Sequence, residues 1–126
     1  PDAKLAFADR LHEIYKGICQ VMEQYRPDQM AIEDVFVAVN PRSALKLGHA
    51  RGVLLLAGRS QGLPIGEYTP RTVKQSVAGH GQAEKGQMQH VVRLLLKLSG
   101  TPSEDAADAL AVAICHAHHG VGSPLP

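Results

Sequence analysis

The sequence contains no tryptophan, two phenylalanines and three tyrosines. With so few aromatics, a core must be assembled from Leu, Val, Ile, Ala and Met. Two cysteines are too few for a disulfide-stapled scaffold. Cys19 and Cys115 both fall in apolar helical patterns, where a bridge is conceivable but free buried thiols of a reducing cytosol are the expectation. No apolar run approaches the roughly 18 residues of a membrane span. No basic stretch leading into an apolar block follows Pro1-Asp2-Ala3-Lys4, so no signal peptide is visible. A cytoplasmic protein with no membrane partner is expected. Neither a nucleophilic Ser nor a nucleophilic Cys elbow is present.

What the sequence does have is an ordinary globular balance, 44% hydrophobic and 20% charged, over 126 residues. That length predicts a single domain, residues 1–126. The net charge of +1 conceals a segregation. Residues 1–39 carry four basic and seven acidic side chains, residues 40–97 nine basic and two acidic, and residues 98–126 three acidic and none basic. A basic middle between acidic ends fits a protein that grips phosphate with one segment and holds a cation with the others. The plainer reading is chance segregation on solvated helix faces.

Apolar residues Phe7, Leu11, Ile14, Ile18, Val21 and Tyr25 recur at helical spacing, predicting a helix over residues 3–25 that Pro27 stops. Met30-Ala31-Ile32-Glu33 reads as a short strand. Asn40 and Pro41 are a cap and first residue for a helix over 41–60 that is apolar almost all round, and so expected to be buried on more than one side. Ile65-Gly66-Glu67-Tyr68 reads as a second strand, and Thr69-Pro70 opens a short helix to about Val77. After the turn Gly79-His80-Gly81, a helix over 84–98 would face Met88, Val91, Val92, Leu95 and Leu96 inward. Thr101, Pro102 and Glu104 form a capping-box start for a last helix running to about His118. The order is α/β with parallel crossovers, yet two strands are too few for a stable sheet. Strands have been lost, or a partner supplies them.

Asp108 lies in an alanine-rich, apolar helical stretch, where a carboxylate is costly unless paired or bound to metal. Asp105 stands one turn earlier, about 4.5 Å along the axis, and a divalent cation between the two would remove their repulsion. Asp105 and Glu104 alone are also explained as acids at a helix N-terminus, but Asp108 is not. Glu33 ends a strand, the place where sites form in open α/β sheets, although a solvent-facing strand end is the plain alternative. Such oxygen donors suit magnesium or manganese rather than zinc. Phe36, just beyond, can stack on an unpaired base or simply pack on the next helix. Gly79-His80-Gly81 before a helix resembles a weak phosphate-cradling turn, bracketed by Lys74 and Lys85 with Arg71 and Arg93 near. His116, His118 and His119 lack zinc-ligand spacing and suit a helix C-terminus as cations.

These residues together resemble the RuvC family of Holliday-junction resolvases. The similarity runs from about residue 5 to 118 and is carried, in order, by Ala31-Ile32-Glu33-Asp34-Val35-Phe36, by Ser43-Ala44-Leu45-Lys46-Leu47-Gly48-His49-Ala50-Arg51-Gly52, by Val73-Lys74-Gln75, by Gly79-His80-Gly81-Gln82-Ala83-Glu84-Lys85 and by Asp105-Ala106-Ala107-Asp108-Ala109-Leu110-Ala111. The resemblance implies a ribonuclease-H-like mixed sheet flanked by helices and a homodimer. It implies magnesium-dependent, paired symmetric nicking of four-way DNA junctions, with manganese as a possible substitute and two ions per site. It also implies work alongside the RuvA and RuvB branch-migration proteins. Glu33, Asp105 and Asp108 match three of the family's four catalytic, metal-holding acids. Phe36, Arg71, Lys74 and Lys85 are the expected DNA contacts. The family pattern begins with a strand bearing Gly-Ile-Asp-Pro-Gly, whose Asp is the fourth acid, and two more strands follow it; nothing like these occurs in the sequence. The rival readings are a related ribonuclease-H-like resolvase, or a catalytically incomplete DNA-binding and dimerisation module of the same fold.

Overall fold

The computed structural model describes residues 6–35 and 40–120. The elements are α1 (Phe7–Tyr25), β1 (Met30–Glu33), α2 (Pro41–Ser60), β2 (Ile65–Tyr68), α3 (Pro70–Ala78), α4 (Lys85–Leu95) and α5 (Glu104–Gly120). Met30 N–H donates to the Pro64 carbonyl and Asp34 N–H to the Tyr68 carbonyl. The sequence offset is the same at both ends, which only parallel strands allow. Among the described residues the sheet consists of these two strands. The chain divides into two compact units. One comprises residues 1–30 and 36–65, the other 31–35 and 66–126.

In the first unit α1 packs on α2. Its small core is Met22, Ala57 and Leu63, with Tyr15, Ile18, Cys19 and Met30 against it. The inward face of α1 is therefore turned from the one expected: Val21 and Tyr25 are exposed. The helix stops where Arg26 enters the left-handed region and its N–H bonds back to the Met22 carbonyl. Asn40 caps α2 as expected, accepting from Ser43 N–H at 2.9 Å. Among the described residues, burial on several sides of α2 does not occur. Ala57 and Gly58 are its buried residues, while Leu45 and Leu56 are 60% and 61% exposed.

In the second unit α3, α4 and α5 pack on one another. Ala107 and Ala111 on α5 are buried, and so small a surface lets neighbouring helices approach closely. Val73 and Val77 of α3, Met88 and Val92 of α4, and Ala111, Val112 and Cys115 of α5 form the core. Two boundaries differ from the sequence reading. Helix α4 ends at Leu95 because Lys97 takes a positive φ of 54°. The Leu98 N–H then returns to the Arg93 carbonyl and that of Lys97 to Leu94, which closes the last turn without the glycine that usually marks such an ending. Leu95 and Leu96 consequently stay exposed. Helix α5 is capped by Ser103, not Thr101: its hydroxyl accepts from Ala106 N–H at 3.2 Å. Thr101 precedes a proline, which favours extended backbone there, and the Pro102 carbonyl accepts from the Gln89 side chain.

Gly66 has a local reason to be glycine. A Cβ there would lie 2.6 Å from His116 Nδ1 and 2.9 Å from the Tyr68 hydroxyl. At Gly58 it would meet the Met30 thioether at 2.7 Å, but that side chain is flexible. Gly66→Ala should therefore destabilise the protein by about 1–3 kcal/mol through overpacking. Gly58→Ala should stay near neutral, because a gain of about 1 kcal/mol in helix propensity offsets the crowding. Thermal melts of the two variants side by side check this; equal losses would contradict it.

Candidate active site

Every candidate residue except Phe36 belongs to the second unit. Phe36 and the side chain of Lys85 lie outside the described residues. Glu33 is the last residue of β1 and is half-buried, with the Asp34 N–H beside it tied to the β2 backbone at 2.7 Å. Asp105 is exposed in the first turn of α5, and Asp108 is half-buried one turn further in. The helix thus presents one acid near its favourable positive end and a second where the dipole helps less. Among the described residues, no three His, Cys, Asp or Glu side chains gather closely enough to hold a metal ion. The three acids are therefore placed on the elements expected of them, a strand end and adjacent helical turns, without closing a three-ligand cation site. The donor chemistry, all carboxylate oxygen, fits a hard divalent cation.

The basic residues come next. Arg71 and Lys74 stand one turn apart on α3, Arg71 exposed and Lys74 half-buried. Arg71 lies across Gly81, where a Cβ would meet its Cγ at 2.8 Å. That glycine is a seat for an arginine. Gly79 serves differently, as the left-handed C-cap of α3, with φ 85° and its N–H on the Gln75 carbonyl. At the start of α4 the cap is Glu84, whose own N–H is taken by the Gln87 side chain at 2.9 Å. A carboxylate occupies the helix end, which leaves no open helix terminus for an anion at this turn.

The histidines divide. His118 and His119 are exposed in the last turn of α5. His116 is instead a buried polar side chain, its Nδ1 hydrogen-bonded to the Tyr68 hydroxyl. The Tyr68 ring lies 5.6 Å from that of His116 and 5.5 Å from that of His119. Burial, and then the neighbouring Cys115, push the Tyr68 phenol up, so it keeps its proton at neutral pH. Burial likewise raises the Cys115 thiol, against a lowering contribution from Ser76. Cys19 and Cys115 are both free, and a raised thiol is a poor nucleophile. Sequence reading missed the Tyr68–His116 pair. The available signal was a glycine inside a strand, which marks a close approach.

The RuvC family model, described as crossover junction endodeoxyribonuclease RuvC, matches residues 3–116. A protein of that name from Pseudoalteromonas atlantica is 58% identical over 113 residues, which is 90% of this chain and 65% of the relative. One from Pectobacterium carotovorum is 61% identical over 109 residues, 86% of this chain and 63% of the relative. The chain thus spans a little under two thirds of the length of these relatives. The Thermus thermophilus RuvC structure matches with a TM-score of 0.84 at 33% identity, over 99% of this chain and 78% of that one. The T. thermophilus RuvC in complex with Holliday junction substrate gives 0.87 at 35% identity, over 93% and 72%. These matches bear out the α/β, ribonuclease-H-like expectation.

Proposed function

The chain belongs to the RuvC family, and from that premise we propose that it serves as the greater part of an endonuclease that resolves four-way DNA junctions by paired symmetric nicks. One observation carries the reading. The acids matching the family's catalytic positions stand in order at the end of β1 and on adjacent turns of α5, within one compact unit. Glu33, Asp105 and Asp108 would hold magnesium, or manganese, with two ions per site and a further acid from the family's first strand. Cations so held would supply Lewis-acid activation of water and charge stabilisation at the leaving oxygen of a phosphodiester.

The chain's own residues supply the rest. Arg71, Lys74 and Lys85 neutralise phosphates, and Phe36 stacks on a base unpaired at the junction. Two copies joined through α2 would place two such sites on the two strands to be cut. That interface is supported by the exposed Leu45 and Leu56 and by an open groove of about 440 Å³ beside Gly48 and Gly52. Light scattering at tens of micromolar is expected to give a dimer mass, and a monomer there would count against the α2 interface. The proposed partners in recombination and repair are RuvA and RuvB, in the cytoplasm. Among the described residues no helix is long and apolar enough to cross a membrane.

The test is a synthetic four-way junction incubated with the full-length protein in magnesium, in manganese and with chelator. Symmetric nicks that require the cation support the reading. Binding without nicking under both metals would leave a DNA-binding and dimerisation module instead. Binding itself should weaken steeply with salt. Replacing Lys74 and Lys85 by alanine should flatten the slope of log K against log salt by about 1.8, near 0.9 for each phosphate left without its cation. An unchanged slope removes both from the DNA surface.

A further inference from the structure

The Tyr68–His116 pair is unused by the chemistry above, and its placement is unusual. A polar ring is buried on α5 and pressed against the backbone of β2, where only glycine at position 66 leaves room for it. We propose that this pair is a positioning device for the acids: it fixes the rotation and register of α5 against the strands, and so sets the orientation of Asp105 and Asp108 relative to the end of β1. The inference rests on the nuclease reading above.

The connections can be followed bond by bond. On α5, His116 follows Asp105 by eleven residues, which on an ideal helix is about 20° around the axis and roughly 16 Å along it. The two therefore lie on nearly the same azimuth. A hydrogen-bonded helix resists twisting, so pinning the rotation at His116 sets where the aspartates point. The pin is the hydrogen bond between the Tyr68 hydroxyl and His116 Nδ1. The backbone carbonyl of the same Tyr68 accepts the Asp34 N–H at 2.7 Å, next to Glu33. One residue at the end of β2 thus grips the helix with its side chain and the end of β1 with its main chain. Apolar packing around it, through Val73, Val92, Val112 and Cys115, is non-directional and tolerates small rotations. A directional bond does not.

Tyr68→Phe removes the hydroxyl and keeps the ring. His116→Leu removes the ring nitrogen at similar volume. His116→Asn returns a polar atom near the Nδ1 position. All three are compared in the full-length protein on a four-way junction, beside Glu33→Gln as control. The expected result for Tyr68→Phe and His116→Leu is a fall in kcat of about 10- to 100-fold, as misplacement of reacting groups by an ångström produces. Junction Kd should stay within about twofold, and half-saturating magnesium should rise, because binding surfaces are untouched while the acids are misaligned. His116→Asn should recover most of the rate. If Glu33→Gln nicks normally, the nuclease reading itself fails. If Glu33→Gln is dead while Tyr68→Phe and His116→Leu nick at the parent rate, only the positioning role is overturned. It is also overturned if His116→Asn is no better than His116→Leu, or if Kd worsens in step with kcat.

Discussion

Glu33→Gln, Asp105→Asn and Asp108→Asn should each lower cation-dependent junction nicking by on the order of 10³-fold, the scale seen when one preorganised electrostatic group is removed from a transition state. Each substitution keeps shape and removes charge. The three positions are not equivalent. Glu33 stands at a strand end held by the neighbouring Asp34–Tyr68 backbone bond, whereas Asp105 is exposed in the first helical turn. Because residues that act as a unit are strongly non-additive, the double variant Asp105→Asn with Asp108→Asn should lose little more than either single one. Junction affinity should persist, since the reading proposed above assigns it to the basic residues of 40–97, and the loss of negative charge should tighten it. Single-turnover nicking and gel-shift titration on the same preparations separate the two effects. Full nicking by Asp108→Asn would remove that residue from the site.

The second large effect concerns the strands that the family pattern places ahead of this sequence. The 126 residues by themselves should nick at no more than about 1% of the rate of a chain extended upstream through the Gly-Ile-Asp strand, because the proposed two-ion site would lack a carboxylate without it. They should also unfold without a sharp transition. Among the described residues the sheet has two strands, and a pair that small is marginal without further strands or full cover. Parallel strands in particular require burial on both faces. All four residues of β1 are only half-buried, where a central parallel strand should be covered. Thermal melting and junction nicking of the short and extended chains side by side give the answer. A cooperative transition in the short chain, together with nicking at the extended chain's rate, would show that the upstream strand belongs neither to the core nor to the site.

Local chemistry made several elements legible. The bounds of β1, α2 and β2 agree with the sequence reading because each is punctuated by residues with one strong local preference. Pro27 ends a helix, Asn40-Pro41 begins one, and Gly62 takes the positive φ that turns the chain into β2. The end of α4 was not legible, since Lys97 occupies the left-handed position where a glycine would have signalled it. The cap of α5 was ambiguous for a different reason: Thr101 and Ser103 have the same capping chemistry, and a contact from Gln89, twelve residues before Thr101, bears on the choice.

From residue types and their order alone, the sequence determined the family, the α/β class, the basic middle segment, and an acid at a strand end followed much later by two acids one turn apart. These are properties of motifs, and motifs are local. Tertiary structure decided which face of each amphipathic helix is buried, so that Met22 is inside and Tyr25 outside on α1. It decided that Gly81 seats Arg71 and that His116 is buried against the hydroxyl of a tyrosine 48 residues away instead of facing solvent at the helix end. The physical reason is common to all three. Helical periodicity marks an apolar stripe only to within about one residue, 100° of arc. Which side chain then meets which partner depends on packing between segments far apart in the chain, and no local pattern carries that.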